Sequence, residues 1–171
     1  MYSFVDNHDV DRLMSKLNNK DHIREVYTLL YTLPGIPSIY YGSEWGIEGR
    51  KQGASDDAMR PQLDLEKMQK ENPHPELTAH IAALGKMRKE NPVLADGKYR
   101  ELVLTNRQCI FARETESERV FVAINADENS YIAHFDAGCG QAVDLITGDI
   151  HDFGGGSELA PYSAAFWKME R

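Results

Sequence analysis

The hydrophobic pattern changes period near Pro92, and that change limits what the chain can fold into. Before Pro92 two helix signals alternate with two strand signals; after it, short strands follow one another. Residues 3–5 read as the end of a strand, and residues 10–20 as a polar loop rich in Asp, Asn, Lys and Ser. Ile23, Val26, Tyr27, Leu30 and Tyr31 share one face of a helix over about 21–32. Asn18, Asn19 or Asp21 caps its start, and Pro34-Gly35 ends it. Residues 36–41 read as a fully buried strand. Residues 42–75 form a long connection with one short helix inside. A second helix runs over 75–90, with Pro75 at its first position, Leu77, Ile81, Leu84 and Met87 as its apolar stripe, and Asn91-Pro92 as its stop. Strand–helix–strand–loop–helix is the βα grammar of a parallel sheet or an α/β barrel.

From Lys98 onward the grammar differs. Segments 99–105, 108–114, 119–125, 130–135, 142–146 and 163–169 are strand-like, with turn residues between them. Val120, Val122 and Ile124 alternate with Phe121 and Ala123, which predicts a strand covered on both faces. These segments predict an all-β antiparallel sandwich. The expected division is therefore 1–92 and 93–171.

Composition narrows the partners. The 171 residues carry a net charge of −8, which argues against nucleic acid or an anionic membrane and leaves a neutral ligand open. No apolar run approaches the roughly 20 residues of a membrane span, and no signal-peptide pattern follows Met1, so a cytoplasmic location is the expectation. Cys109 and Cys139 lack metal-ligand spacing and read as free buried thiols in preference to a disulfide.

Three segments carry chemistry. In Phe4-Val5-Asp6-Asn7-His8-Asp9 an apolar pair leads into carboxylates, an amide and an imidazole, just past a strand end. An α/β barrel builds its active site at such ends, while Asp and Asn in that setting also serve as turn caps; spacing leaves both readings open. Asp56 and Arg60, four apart, meet if their segment is helical, either as a surface ion pair or as part of a site. Gly35-Ile36-Pro37-Ser38-Ile39-Tyr40-Tyr41-Gly42-Ser43-Glu44 fits a structural turn or a site rim equally well.

In this order the three segments resemble the C-terminal part of the α-amylase family of glycoside hydrolases, nearest to its maltodextrin- and cyclodextrin-degrading members. Phe4 to Asp9 resembles the family's seventh-strand motif, Gly35 to Glu44 its eighth-strand motif, and Asp56 with Arg60 the loop pair that follows. The resemblance implies a fold: the last two βα units of a TIM barrel, an α/β barrel remnant, followed by the β-domain. It implies retaining hydrolysis or transglycosylation of starch, maltodextrin or cyclodextrin. It makes Asp9 the third catalytic carboxylate, which stabilises the −1 sugar, with His8, Asp56 and Arg60 contacting the same sugar. Tyr41 and Glu44 support the site, and Asp6 takes a structural role. The family's nucleophile and acid/base lie on its fourth and fifth strands, and no candidate for either occurs here, so the isolated chain is expected to be inactive. The alternative is a non-catalytic carbohydrate-binding or structural module. No cofactor or metal ligand is identified; calcium bound by family members is held mostly upstream of this segment. Two barrel strands leave apolar faces uncovered, which predicts self-association through the N-terminal half.

Overall fold

A computed structural model of the chain describes residues 1–170. It begins with β1 (Tyr2–Ser3), α1 (Leu13–Lys16), α2 (Ile23–Thr32) and β2 (Ile36–Pro37). β1 and β2 pair in parallel, Tyr2 opposite Ile36 and Ser3 opposite Pro37, with α2 in the crossover between them. α3 (Leu65–Lys70), α4 (Pro75–Glu90) and α5 (Val93–Asp96) follow. The strands after them are β3 (Lys98–Leu104), β4 (Gln108–Glu114), β5 (Glu118–Asn125), β6 (Tyr131–Ala133), β7 (Gln141–Asp144), β8 (Ile150–Asp152), β9 (Ser157–Leu159) and β10 (Ser163–Glu170).

The expected strand over 36–41 shortens to two residues. β1 offers only two residues to pair with, and beyond Pro37 the chain turns toward side-chain partners. Nor is the segment fully buried, since Ile36 and Tyr41 are exposed. Within the expected polar loop, Leu13 and Met14 are buried and form α1. β8 and β9 were not anticipated; each is three residues long and they flank the Gly154–Gly156 turn, too short for a periodic signal.

Six strands form an antiparallel sheet in the order β3-β4-β5-β10-β7-β8, and β6 with β9 forms a second, two-stranded antiparallel sheet. The alternation along β5 does divide between two buried faces. Val120, Val122 and Ile124 join Phe111 and Phe166 in a core shared with Leu30 of α2, Leu84 of α4 and Leu94 of α5. Phe121 and Ala123 join Ile110 and Trp167 in a core closed by Ala133 of β6 and Leu159 of β9. The main sheet is thus covered by helices on one side and by the small sheet on the other.

Two arginines bind carbonyls at and beyond helix ends, one of them from this sheet. The last carbonyls of a helix have no partner within it. Arg113 of β4, buried, donates to the carbonyls of Thr32 at 2.7 Å, Leu94 at 2.6 Å and Gly97 at 2.7 Å. Arg88 of α4 donates to the Gly35 carbonyl at 2.6 Å, fixing the entry to β2. Cys109 and Cys139 are free and half-buried, and burial pushes both thiols above their ordinary range.

Candidate active site

The candidate site is built where three segments meet: residues 6–12 after β1, residues 40–43 after β2, and the loop around 56–61. Asp6 anchors the first. It is buried, and its Oδ2 accepts the Leu13 N–H and the Ser43 hydroxyl, both at 2.8 Å. It thereby satisfies the first N–H of α1 and ties the first segment to the second. Asn7 Oδ1 accepts the Asp9 N–H at 2.8 Å, a local turn that leaves the next two side chains facing outward. The His8 and Asp9 side chains are 58% and 63% exposed, so they are available to a ligand.

Arg60 gathers the exposed groups. Its Nη2 lies 2.8 Å from Asp56 Oδ2 and 3.3 Å from Asp9 Oδ1, and its Nε donates to the His8 carbonyl at 3.1 Å. His8 Nε2 lies 3.2 Å from the other Asp9 oxygen, and Lys51 Nζ lies 3.2 Å from Asp56 Oδ1. Asp56 and Arg60 meet because a single 3-10 turn, Asp57–Met59, separates them; a longer helix is not needed. The expected residues Asp9, His8, Asp56 and Arg60 therefore form one cluster. Tyr41 lies at its edge, where its hydroxyl donates to the Pro61 carbonyl at 3.0 Å. The Tyr40 ring lies between, 6.4 Å from His8 and 4.7 Å from Tyr41. Burial and the adjacent Tyr41 push the Tyr40 phenol above its usual range, against the pull of Arg12 and Arg60.

Glu44 lies elsewhere. It sits in the 3-10 turn Ser43–Trp45, and its carbonyl accepts the Thr78 hydroxyl of α4 at 2.9 Å. Burial raises the Tyr27 phenol above its usual range, and the nearby Asp6 and Glu44 carboxylates raise it further. Glu44 thus faces the helices and not the Asp9 cluster.

The residue that the sequence did not single out is Arg12. It is fully buried. Its Nη1 donates to the Tyr41 carbonyl at 2.6 Å and the Ser43 hydroxyl at 3.1 Å; its Nη2 donates to the Met59 carbonyl at 2.7 Å. Its guanidinium also stacks over Tyr40, 4.2 Å from the ring centre. One side chain thus joins all three segments behind the exposed cluster. The absence of periodicity in residues 10–20 concealed it, and its position three after Asp9 carried no signal of burial.

Chemically, the arrangement presents a solvent-facing carboxylate, Asp9, steadied through one oxygen by a guanidinium and through the other by an imidazole. Such a group accepts hydrogen bonds from hydroxyls and favours positive charge developing beside it. Exposed ion pairs contribute only about 0–1 kcal/mol to folding, so stability is a poor reason for placing four such groups together. Among the described residues no three or more His, Cys, Asp or Glu side chains converge in a way that could hold a metal ion.

Comparison with known proteins agrees with these features. Residues 1–75 match the family described as Alpha amylase, catalytic domain. A maltogenic alpha-amylase of Bacillus acidopullulyticus is 29% identical over 143 residues, a match covering 80% of this chain and 23% of the relative. A cyclomaltodextrin glucanotransferase of Paenibacillus macerans is 31% identical over 132 residues, covering 76% of this chain and 17% of the relative. In fold, the chain superposes over its whole length on 39% of an alpha-amylase from Geobacillus thermoleovorans solved with acarbose, with a TM-score of 0.83 and 24% identity. The chain therefore spans a minor part of the proteins it resembles, and over residues 1–75 it carries the sequence pattern of the alpha-amylase catalytic domain.

Proposed function

We propose that the chain supplies one catalytic carboxylate and part of the −1 subsite of a retaining glycoside hydrolase or transglycosylase acting on α-1,4-glucans such as starch, maltodextrin or cyclodextrin. The observation that supports this best is Arg60, which holds Asp9, Asp56 and the His8 carbonyl in one open cluster at the C-terminal side of the β1–β2 pair. In this reading β1, α2, β2 and α4 are the last βα units of a TIM barrel, residues 1–92, and residues 93–171 form a C-terminal β-sandwich domain. Asp9 engages hydroxyls of the −1 sugar and stabilises the oxocarbenium-like transition state, with His8, Asp56 and Arg60 fixing the sugar beside it. Tyr41 and Glu44 support the segments that carry these groups. Retaining chemistry also needs a nucleophile and an acid/base about 5–5.5 Å apart, and these come from sequence beyond this chain. The exposed Tyr2, Phe4 and Ile36 around the two-stranded sheet give the N-terminal half a surface for self-association.

Two measurements test the reading. The purified chain should release no maltose from maltodextrin, because each missing group contributes orders of magnitude to rate. In the complete enzyme, Asp9→Asn should lower kcat by orders of magnitude with little change in KM, as expected for a group that acts in the transition state. Turnover by the chain alone, or activity of Asp9→Asn within about threefold of the parent, would overturn the assignment.

A further inference from the structure

We propose that the crevice between α2, α4 and β10 is a binding site for a small aliphatic ammonium ion, seated on the carboxyl group of Glu25. The crevice encloses about 470 Å³, within the range of small-molecule sites, and lies away from the Asp9 cluster. Glu25 lines it and is only 5% exposed, yet its Oε2 has no hydrogen-bond partner. An acidic group in the first turn of a helix complements the helix dipole, which explains a carboxylate at this position of α2. It does not explain burial, because a solvated carboxylate serves the dipole without desolvation. Burial holds the Glu25 carboxyl above its usual range, against the pull of the nearby His22 and Arg24.

The rest of the wall defines the ligand. Thr28 offers a hydroxyl beside Glu25. His80 Nε2 lies 3.1 Å from the Arg24 carbonyl, which can only accept, so this nitrogen carries the proton and leaves lone pairs on the Thr28 oxygen, 3.3 Å away. Glu25 Oε2 and the lone pairs of Thr28 are therefore the acceptors that the polar floor offers, and they suit a donor head. Ala83, Ala164 and Phe166 supply an apolar lining for a short hydrocarbon tail. At the mouth Glu76 pairs with His74, and Arg24 lies near Glu25 without bonding its Oε2, which leaves that oxygen open to a ligand. The net charge of −8 further favours a cation over an anion.

The site stands independently of the glucan reading and is tested on the same chain. Amide NMR spectra are followed while n-butylammonium chloride is titrated, with n-butanol as the neutral counterpart at matched ionic strength. The expected result is a saturable shift confined to α2, α4 and β10, with n-butanol at least about tenfold weaker. Glu25→Gln should lose about tenfold or more in affinity while keeping the fold. Ala83→Leu, on the exposed flank of α4, narrows the crevice without touching the carboxyl group and should weaken binding likewise; it decides the matter if Glu25→Gln does not fold. No saturable response, equal binding of n-butanol, or unchanged affinity in both variants would overturn the site.

Discussion

Arg12→Met removes the one side chain that joins all three segments of the candidate site, and its cost can be worked from the contacts. The Tyr41 and Met59 carbonyls, bonded at 2.6 and 2.7 Å, lose their donors. A buried acceptor left unmade costs about 1–3 kcal/mol. Loss of the stack over Tyr40, at 4.2 Å, removes about 1–2 kcal/mol more. Asp6 keeps its bonds to Ser43 and Leu13 but no longer shares the Ser43 hydroxyl with a buried cation. Against these losses, Met retains much of the arginine stem packing, and a buried cation, with its desolvation, is gone. The net expectation is a destabilisation of about 3–5 kcal/mol, the scale on which breaking a buried charge network acts. Urea unfolding of the chain, followed by circular dichroism, measures it from the midpoint at constant slope. Arg12→Lys should recover roughly half, because one ammonium on a flexible stem cannot serve the Tyr41 and Met59 carbonyls from two nitrogens. Arg12→Met and Asp6→Asn should be non-additive, since Ser43 links the two residues. A loss under about 1 kcal/mol for Arg12→Met would refute the view that this residue organises the three segments.

Other perturbations probe separate links. A Cβ added at Gly49 would sit 2.2 Å from the Ala58 carbonyl oxygen, so Gly49→Ala should cost about 1–3 kcal/mol in the same unfolding assay as the two loops separate; an unchanged midpoint would show that they move freely. Burial lowers the His80 imidazole below its ordinary value of 6.5, so the unfolded chain binds a proton more readily than the folded one. The stability this group permits is present above that value and is lost as pH falls through the lowered one; His80→Gln should flatten the fall in unfolding free energy below pH 6.5, and an unaltered pH profile would contradict it. Arg60→Ala should leave folding stability within about 1 kcal/mol, because its partners are exposed, yet cost roughly 2–4 kcal/mol in kcat/KM of the complete enzyme. Equal kcat/KM would return the Asp56–Arg60 pair to an ordinary surface ion pair.

What was legible in the sequence follows from where each signal resides. α4 (Pro75–Glu90) was read with its limits intact, because Pro75 and Asn91-Pro92 punctuate a stripe with helical period. β4 (Gln108–Glu114) and β5 (Glu118–Asn125) were legible because their alternation repeats long enough to be seen. The strand expected over 36–41 overshot, because strand length depends on the neighbour, and β1 supplies two residues. β9 is held by pairing with β6, a partner that no local window contains, and β8, though it forms a hairpin with β7, is too short to show a period. The exposed cluster was legible through resemblance: spacing alone left turn caps and a surface ion pair open, and it was the order of the three segments that matched the family's motifs. Arg12 escaped because two of its acceptors are main-chain carbonyls 29 and 47 residues away. Every residue carries a carbonyl, so a sequence cannot mark which ones await a donor. The exposed polar groups therefore show in a sequence before the group that holds them in place, and the same asymmetry explains Glu44: its residue type was legible, while its placement beside Tyr27, with its carbonyl on Thr78 of α4, was not.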